Sequence, residues 1–100
     1  MLSHTETVRL DFDILLNANR GTWKNLENVA EEFTNEQISV NDVYSRIDFL
    51  ANRRCIDMRK SKYDSESAYI MVNARVPGDE FGIALLLITL HTDLKKVFAP

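Results

Sequence analysis

The chain has 100 residues, 45% of them hydrophobic and 27% charged, with a formal net charge of −3. That length buries about two thirds of the unfolded surface around one core and leaves no room for a second, so residues 1–100 are read as a single domain. The negative charge excludes a generic polycation for nucleic acid, and the single cysteine excludes an internal disulfide.

From the N-terminus, Met1 to Glu6 lack the basic region and apolar run of an export signal, which leaves a cytoplasmic protein as the expectation. Val8, Phe12, Leu15 and Leu16 then recur at helical spacing, with Leu10 and Ile14 widening the buried face, and predict a first helix from Thr5 to Ala18. Gly21-Thr22 supplies a stop and an N-cap for a second helix that carries Trp23, Leu26, Val29, Ala30 and Phe33 along one side. Thr34 to Gln37 is the polar turn that follows it.

The sharpest local signal is Ser39-Val40-Asn41-Asp42, a capping box with Asp in place of the commoner Glu. Ile38 and Val43 can close over it as a hydrophobic staple. A third helix therefore occupies residues 38–54. Val40, Val43, Ile47 and Leu50 form its apolar stripe, and Asn41, Tyr44, Ser45, Asp48 and Asn52 form the opposite, polar side.

Past Arg53-Arg54 the period changes from helical to two. Ile56 and Met58 alternate with Asp57 and Arg59, and a second alternating run extends from Ala68 to Val76. The polar stretch Lys60 to Ser67 lies between them without the Asn-Gly of a tight turn, so residues 56–76 read as a hairpin with a long tip. Pro77-Gly78-Asp79 is then a breaker and a cap, leading into a helix over 79–98 that is apolar almost all round. Ile83, Leu87, Leu90, Leu94 and Val97 make one line on it; Phe81, Ala84, Leu85 and Ile88 make another. A terminal helix of one domain needs a single apolar face. The dimer expectation assigns Phe81, Leu87, Leu90, Leu94 and Val97 to contact with a second copy. Two alternatives stay open: burial of both lines within one chain, or a core strand over residues 81–90.

Between Trp23 and Val76, the core residues Val43, Ile47, Leu50, Cys55 and Ile56, together with Arg46 and the basic hairpin, resemble the winged helix-turn-helix superfamily, which includes many small bacterial and phage transcription regulators. The resemblance implies an α+β, mainly helical fold: three helices and a β-hairpin wing, here with an added C-terminal apolar helix. It also implies that helix 39–53 lies in the major groove of double-stranded DNA with the wing beside it. One departure is plain. Many members have glycine after the recognition helix, where this chain has Arg54, so either Arg54 takes the left-handed conformation or the helix ends differently.

Charge follows the same division of the chain. Residues 1–37 carry three cations against seven carboxylates, residues 38–62 six against three, and residues 63–100 three against five. The positive segment is the one the resemblance places on DNA. Asn41, Tyr44 and Ser45 are the expected base contacts, and Arg46, Arg53, Arg54, Arg59, Lys60 and Lys62 the expected phosphate contacts. Asp48 and an exposed Phe49 argue for the alternative, a protein-interaction module or inhibitor on the same fold, although Phe49 lies beside the core stripe and equally suits packing.

Little points to catalysis. His4 and His91 have no ligand-spaced neighbours for zinc. Asp11 and Asp13 diverge on a helix and read as a solvated face rather than an acid-base pair. The three glycines, at 21, 78 and 82, form no phosphate loop. The expectation is a non-enzymatic, homodimeric DNA-binding regulator of the compact kind found in phages and mobile elements, with no cofactor, metal, membrane contact or small-molecule substrate.

Overall fold

The computed structural model describes residues 2–18, 20–63 and 67–91. The first helix, α1, spans His4–Asn17 and opens with a capping box at Ser3: its Oγ accepts the Glu6 N–H at 3.1 Å, and the Glu6 carboxylate accepts the Ser3 N–H at 3.1 Å. At the other end, the Arg20 guanidinium donates to the carbonyls of Leu15 and Val76. A cation thus satisfies an acceptor that the last turn leaves open, Leu15 O, and ties α1 to the loop before the final helix.

The second helix starts later than the sequence predicts. Lys24–Asn25 form a short strand, β1, and Asn25 rather than Thr22 caps α2, Leu26–Phe33, by accepting the Asn28 N–H at 3.2 Å. Trp23 consequently precedes the strand and lies outside the helix. Thr22 and Asn25 are both capping residue types; pairing of the intervening backbone with another strand decides between them. Asn35 then turns the chain by accepting the N–H groups of Gln37 and Ile38.

The third helix, α3, covers Val40–Asn52 with the predicted box in place: Ser39 Oγ accepts the Asp42 N–H at 3.1 Å, and Asp42 accepts the Ser39 N–H at 3.0 Å. Its end resolves the question at Arg54, which takes φ +62°. The Arg54 N–H reaches Ala51 O at 3.0 Å and the Cys55 N–H reaches Leu50 O at 2.9 Å. Those two bonds make a Schellman motif with arginine where glycine is usual.

Strands β2, Ile56–Lys60, and β3, Ala68–Val72, form an antiparallel hairpin in which Ile56 faces Val72 and Lys60 faces Ala68. Strand β1 joins the far edge of β3, with Lys24 opposite Ile70, to give a three-stranded antiparallel sheet of order β1-β3-β2. The second strand is shorter than the alternation to Val76 suggests. Asn73 Oδ1 accepts the Arg75 N–H and Asn73 O accepts the Val76 N–H, turning the backbone out of the ladder directly after Val72.

The last helix, α4, spans Glu80–His91, so residues 81–90 form helix and not strand. Asp79 caps it by accepting the Gly82 N–H at 2.9 Å. A Cβ at Gly82 would stand 2.4 Å from the Cβ of Pro77, so only glycine lets the breaker pack onto the first turn. The rest of the expected 79–98 helix, with Leu94 and Val97, lies outside the described residues.

Leu10, Ile14, Leu15, Val29, Val43, Ile47, Leu50, Ile70, Ile83 and Leu87 are the large fully buried apolar residues, drawn from all four described helices and the sheet. On α1 the core line is Leu10, Ile14 and Leu15, whereas the predicted Val8, Phe12 and Leu16 are only half-buried. Four described helices and a three-stranded antiparallel sheet in this order make a small α+β fold consistent with a winged-helix-like layout. Among the described residues no helix is long and apolar enough to cross a membrane.

Candidate nucleic-acid interface

Helix α3 turns Val43, Ile47 and Leu50 into the core and leaves Asn41, Ser45, Asp48 and Asn52 exposed, at steps of four, three and four that place them on one outward face. Tyr44 sits on the flank of that face, half-buried against the core. Short polar groups with both donor and acceptor capacity therefore occupy the helix's open side, with one carboxylate, Asp48, among them.

Arg46 does not join this face. Its Nε and Nη2 each donate at 2.8 Å to the two oxygens of Asp11, which is fully buried on α1. His91, on the last turn of α4, adds a third bond through Nε2 to Asp11 Oδ2 at 2.8 Å. A carboxylate only accepts, so His91 keeps its proton on Nε2 whatever the charge of the ring. Asp11 is thus the common acceptor for α3 and α4, and the expectation of a solvated face at Asp11 is replaced by a buried ionic junction.

The signal for that junction is in the sequence. Asp11 stands four residues before Leu15 and three before Ile14, and Arg46 three after Val43 and four before Leu50, so both charges occupy core-facing positions of their helices. Phe49 covers the junction. It lies 4.3 Å from the Arg46 guanidinium carbon and 4.9 Å from that of Arg53, and its ring centre is 5.5 Å from that of His91. The exposure expected of Phe49 is therefore only partial.

The exposed cations run from the end of α3 into the wing. Arg53, Arg54, Arg59, Lys60 and Lys62 are all exposed, and Asp57, the one carboxylate within that stretch, is half-buried and accepts from the Asn73 side chain at 3.0 Å. None of the five pairs with a carboxylate among the described residues. By contrast Arg9 pairs with Asp13 at 3.3 Å and Lys24 with Glu32 at 2.8 Å. The Arg59 guanidinium carbon lies 4.5 Å from the centre of the Trp23 ring, on the face of the sheet away from the core, and Arg59 stands directly across from Tyr69. Tyr63, at the wing tip, is 99% exposed. The expected contact set contains none of these aromatic residues; the alternation of Tyr69 with buried Ile70 is the signal that places it on the outer face.

Cys55, buried under the end of α3, has its thiol pKa pushed up, first by burial and then by nearby Asp11, which makes it a poor nucleophile. On α4, Leu87 is buried in the core and Leu90 is half-buried, whereas Phe81, Leu85 and Ile88 are 74%, 50% and 63% exposed. The dimer surface expected at Leu87 is corrected accordingly: α4 spends its Ile83–Leu87 line on α1 and presents the other. An open groove of about 600 Å³ adjoins that line, lined by Val8, Phe12, Ala84, Leu87 and Ile88 together with His4, Thr5, Arg9 and His91. Comparison with known protein families, with curated proteins and with solved structures gives no match to this chain.

Proposed function

We propose that this chain is a winged helix-turn-helix regulator that binds double-stranded DNA as a homodimer, with α3 as the recognition helix and the β2–β3 hairpin as the wing. The observation that carries the reading is the run of five exposed cations, Arg53, Arg54, Arg59, Lys60 and Lys62, beside the polar face of α3 on a chain that is otherwise acidic. Phosphates take the cations and position the helix; Asn41 and Ser45 read base edges in the major groove. Arg46 is left out of the contact set, because its guanidinium is used inside the protein. The dimer contact is the exposed Phe81, Leu85 and Ile88 line of α4.

A polarisation titration against duplex DNA from its own upstream region, at about 50 and 200 mM salt, tests the reading. Replacing Arg59, Lys60 and Lys62 together by Ala should weaken binding to specific and random duplex alike, and reduce the slope of log K against log salt by about 0.9 for each phosphate that is no longer neutralised. Unchanged affinity at low salt rejects the wing assignment. Asn41→Ala or Ser45→Ala should instead cost about 1–3 kcal/mol of discrimination between sites.

A second reading, a protein-interaction module on the same fold, draws on Asp48, which stands exposed in the middle of the α3 face where it would repel phosphate. Asp48→Asn separates the two. Tighter duplex binding supports DNA as the partner; no change in a protein that binds no duplex supports the module.

A further inference from the structure

The outer face of the sheet combines features that the duplex reading does not use. The Arg59 guanidinium carbon lies 4.5 Å from the centre of the Trp23 ring, and Tyr69 stands directly opposite Arg59 in the β2–β3 ladder. Trp23 and Tyr69 are half-buried, and Tyr63 is 99% exposed. Lys62, next but one to strand β2 and adjacent to Tyr63 along the chain, is exposed, whereas Lys60, opposite Ala68 in the ladder, belongs to the other face of the sheet.

Aromatic faces that remain open beside unpaired cations are what an unstacked base and its phosphate require. Every base has a π-face, guanidinium groups stack on bases as they do on indole, and lysines follow a backbone without reading its sequence. A paired duplex offers neither of its π-faces to such a surface except at its ends. We infer that the outer sheet face together with Tyr63 forms a binding site for single-stranded nucleic acid, in which Arg59, Tyr69 and Tyr63 stack on unpaired bases, Trp23 holds Arg59 beside its ring, and Lys62 holds the phosphate. The inference extends the nucleic-acid reading above, since it uses the same wing, but it depends on none of the α3 contacts. A peptide partner is disfavoured because residues 53–62 hold five exposed cations and, within that stretch, one carboxylate, half-buried Asp57.

Trp23 is the only tryptophan in the chain, so its fluorescence reports this face alone. The probes are oligothymidylate of about a dozen nucleotides, a length within the range a small single-strand-binding domain covers, an abasic strand with the same number of phosphates, and a blunt duplex of the same length. Oligothymidylate should change Trp23 emission saturably, and the abasic strand should bind at least about fivefold more weakly. Tyr63→Ala, at a fully exposed position that the fold does not need, should weaken oligothymidylate binding between about five- and a hundredfold while leaving duplex binding by α3 unchanged. Asn41→Ala should do the reverse.

Equal binding of the abasic strand and oligothymidylate overturns the inference, because phosphates alone then explain the affinity. Duplex binding with no oligothymidylate binding overturns it too and leaves the α3 reading intact. Oligothymidylate binding without duplex binding has the opposite result: it upholds this site and removes the α3 reading. If neither nucleic acid binds at low salt, both fall and the surface belongs to a protein partner.

Discussion

Asp11 concentrates more of the molecule's constraint than any other side chain described. Fully buried, it accepts from Arg46 twice and from His91 once. Removing one member of a buried pair leaves the other charge without compensation, so Asp11→Ala should lower unfolding free energy by about 3–5 kcal/mol in a denaturant titration. Replacing Asp11 and Arg46 together by Leu and Met should recover most of that loss, since a buried pair barely outweighs its own desolvation. If the double variant is as unstable as Asp11→Ala, packing around the junction and not its charge is what matters. Arg54 makes the opposite case, a residue whose own conformation is unfavourable. At φ +62° its Cβ is crowded against the backbone, and glycine there relieves roughly 1 kcal/mol. Arg54→Gly should accordingly raise the denaturation midpoint, while removing one cation from the strip beside the wing. A lowered midpoint would mean that the side chain makes a contact outweighing its strain.

At the scale of the element, the two capping boxes begin α1 and α3 with the same chemistry. Glu6 and Asp42 each accept the backbone N–H of their serine, and those bonds hold both carboxyls below the usual carboxylate range. A folded-state pKa below the unfolded one gives stability that is present above the ordinary carboxylate range and is lost as pH falls through the folded values. Melting between about pH 6 and pH 3 should therefore show an acid loss that becomes shallower in Asp42→Asn, and less so in Ser39→Ala, which keeps the backbone N–H that Asp42 accepts. Ser39→Ala itself costs about 0.5–2 kcal/mol at neutral pH through the lost cap. An unaltered acid slope would assign the loss to other carboxylates. Local signals of this kind are legible in the chain: Ser39 with Asp42 and the Val43, Ile47, Leu50 stripe all act within one or two turns. What escapes is decided at long range. Thr22 and Asn25 are equally good caps until β1 pairs with β3, and Asn73 ends a strand whose alternation runs on to Val76. Ser3 with Glu6 is the exception, a commoner form of the box than the one at Ser39 and fully local, although apolar spacing alone points to a start at Thr5.

For the whole molecule, α4 separates what the chain buries from what it offers. Leu87 lies in the core, so Leu87→Glu should unfold the protein, whereas Leu85→Glu with Ile88→Glu alters residues 50% and 63% exposed and should leave the melting temperature of the monomer nearly unchanged. Light scattering at micromolar concentration should give a dimer for the unmodified chain and a monomer for the second variant, with weaker operator binding because two half-sites are no longer engaged together. A monomer before any substitution would end the dimer reading. Apolar periodicity on α4 is visible from its residues, but which line faces inward depends on where α1 lies, and that is set by Asp11 and its partners 35 and 80 residues away. The junction also bears on how any survey of substitutions in this chain reads. Arg46→Ala depletes the folded population, so every DNA site is weakened by the same factor at every salt concentration, and a screen scored on binding alone ranks it as a contact. A phosphate contact, the role proposed for Lys62, would change the salt slope and leave the melting curve in place. Measured side by side, those two quantities separate Arg46, which holds α3 in place, from the cations of residues 53–62 that are proposed to meet a partner.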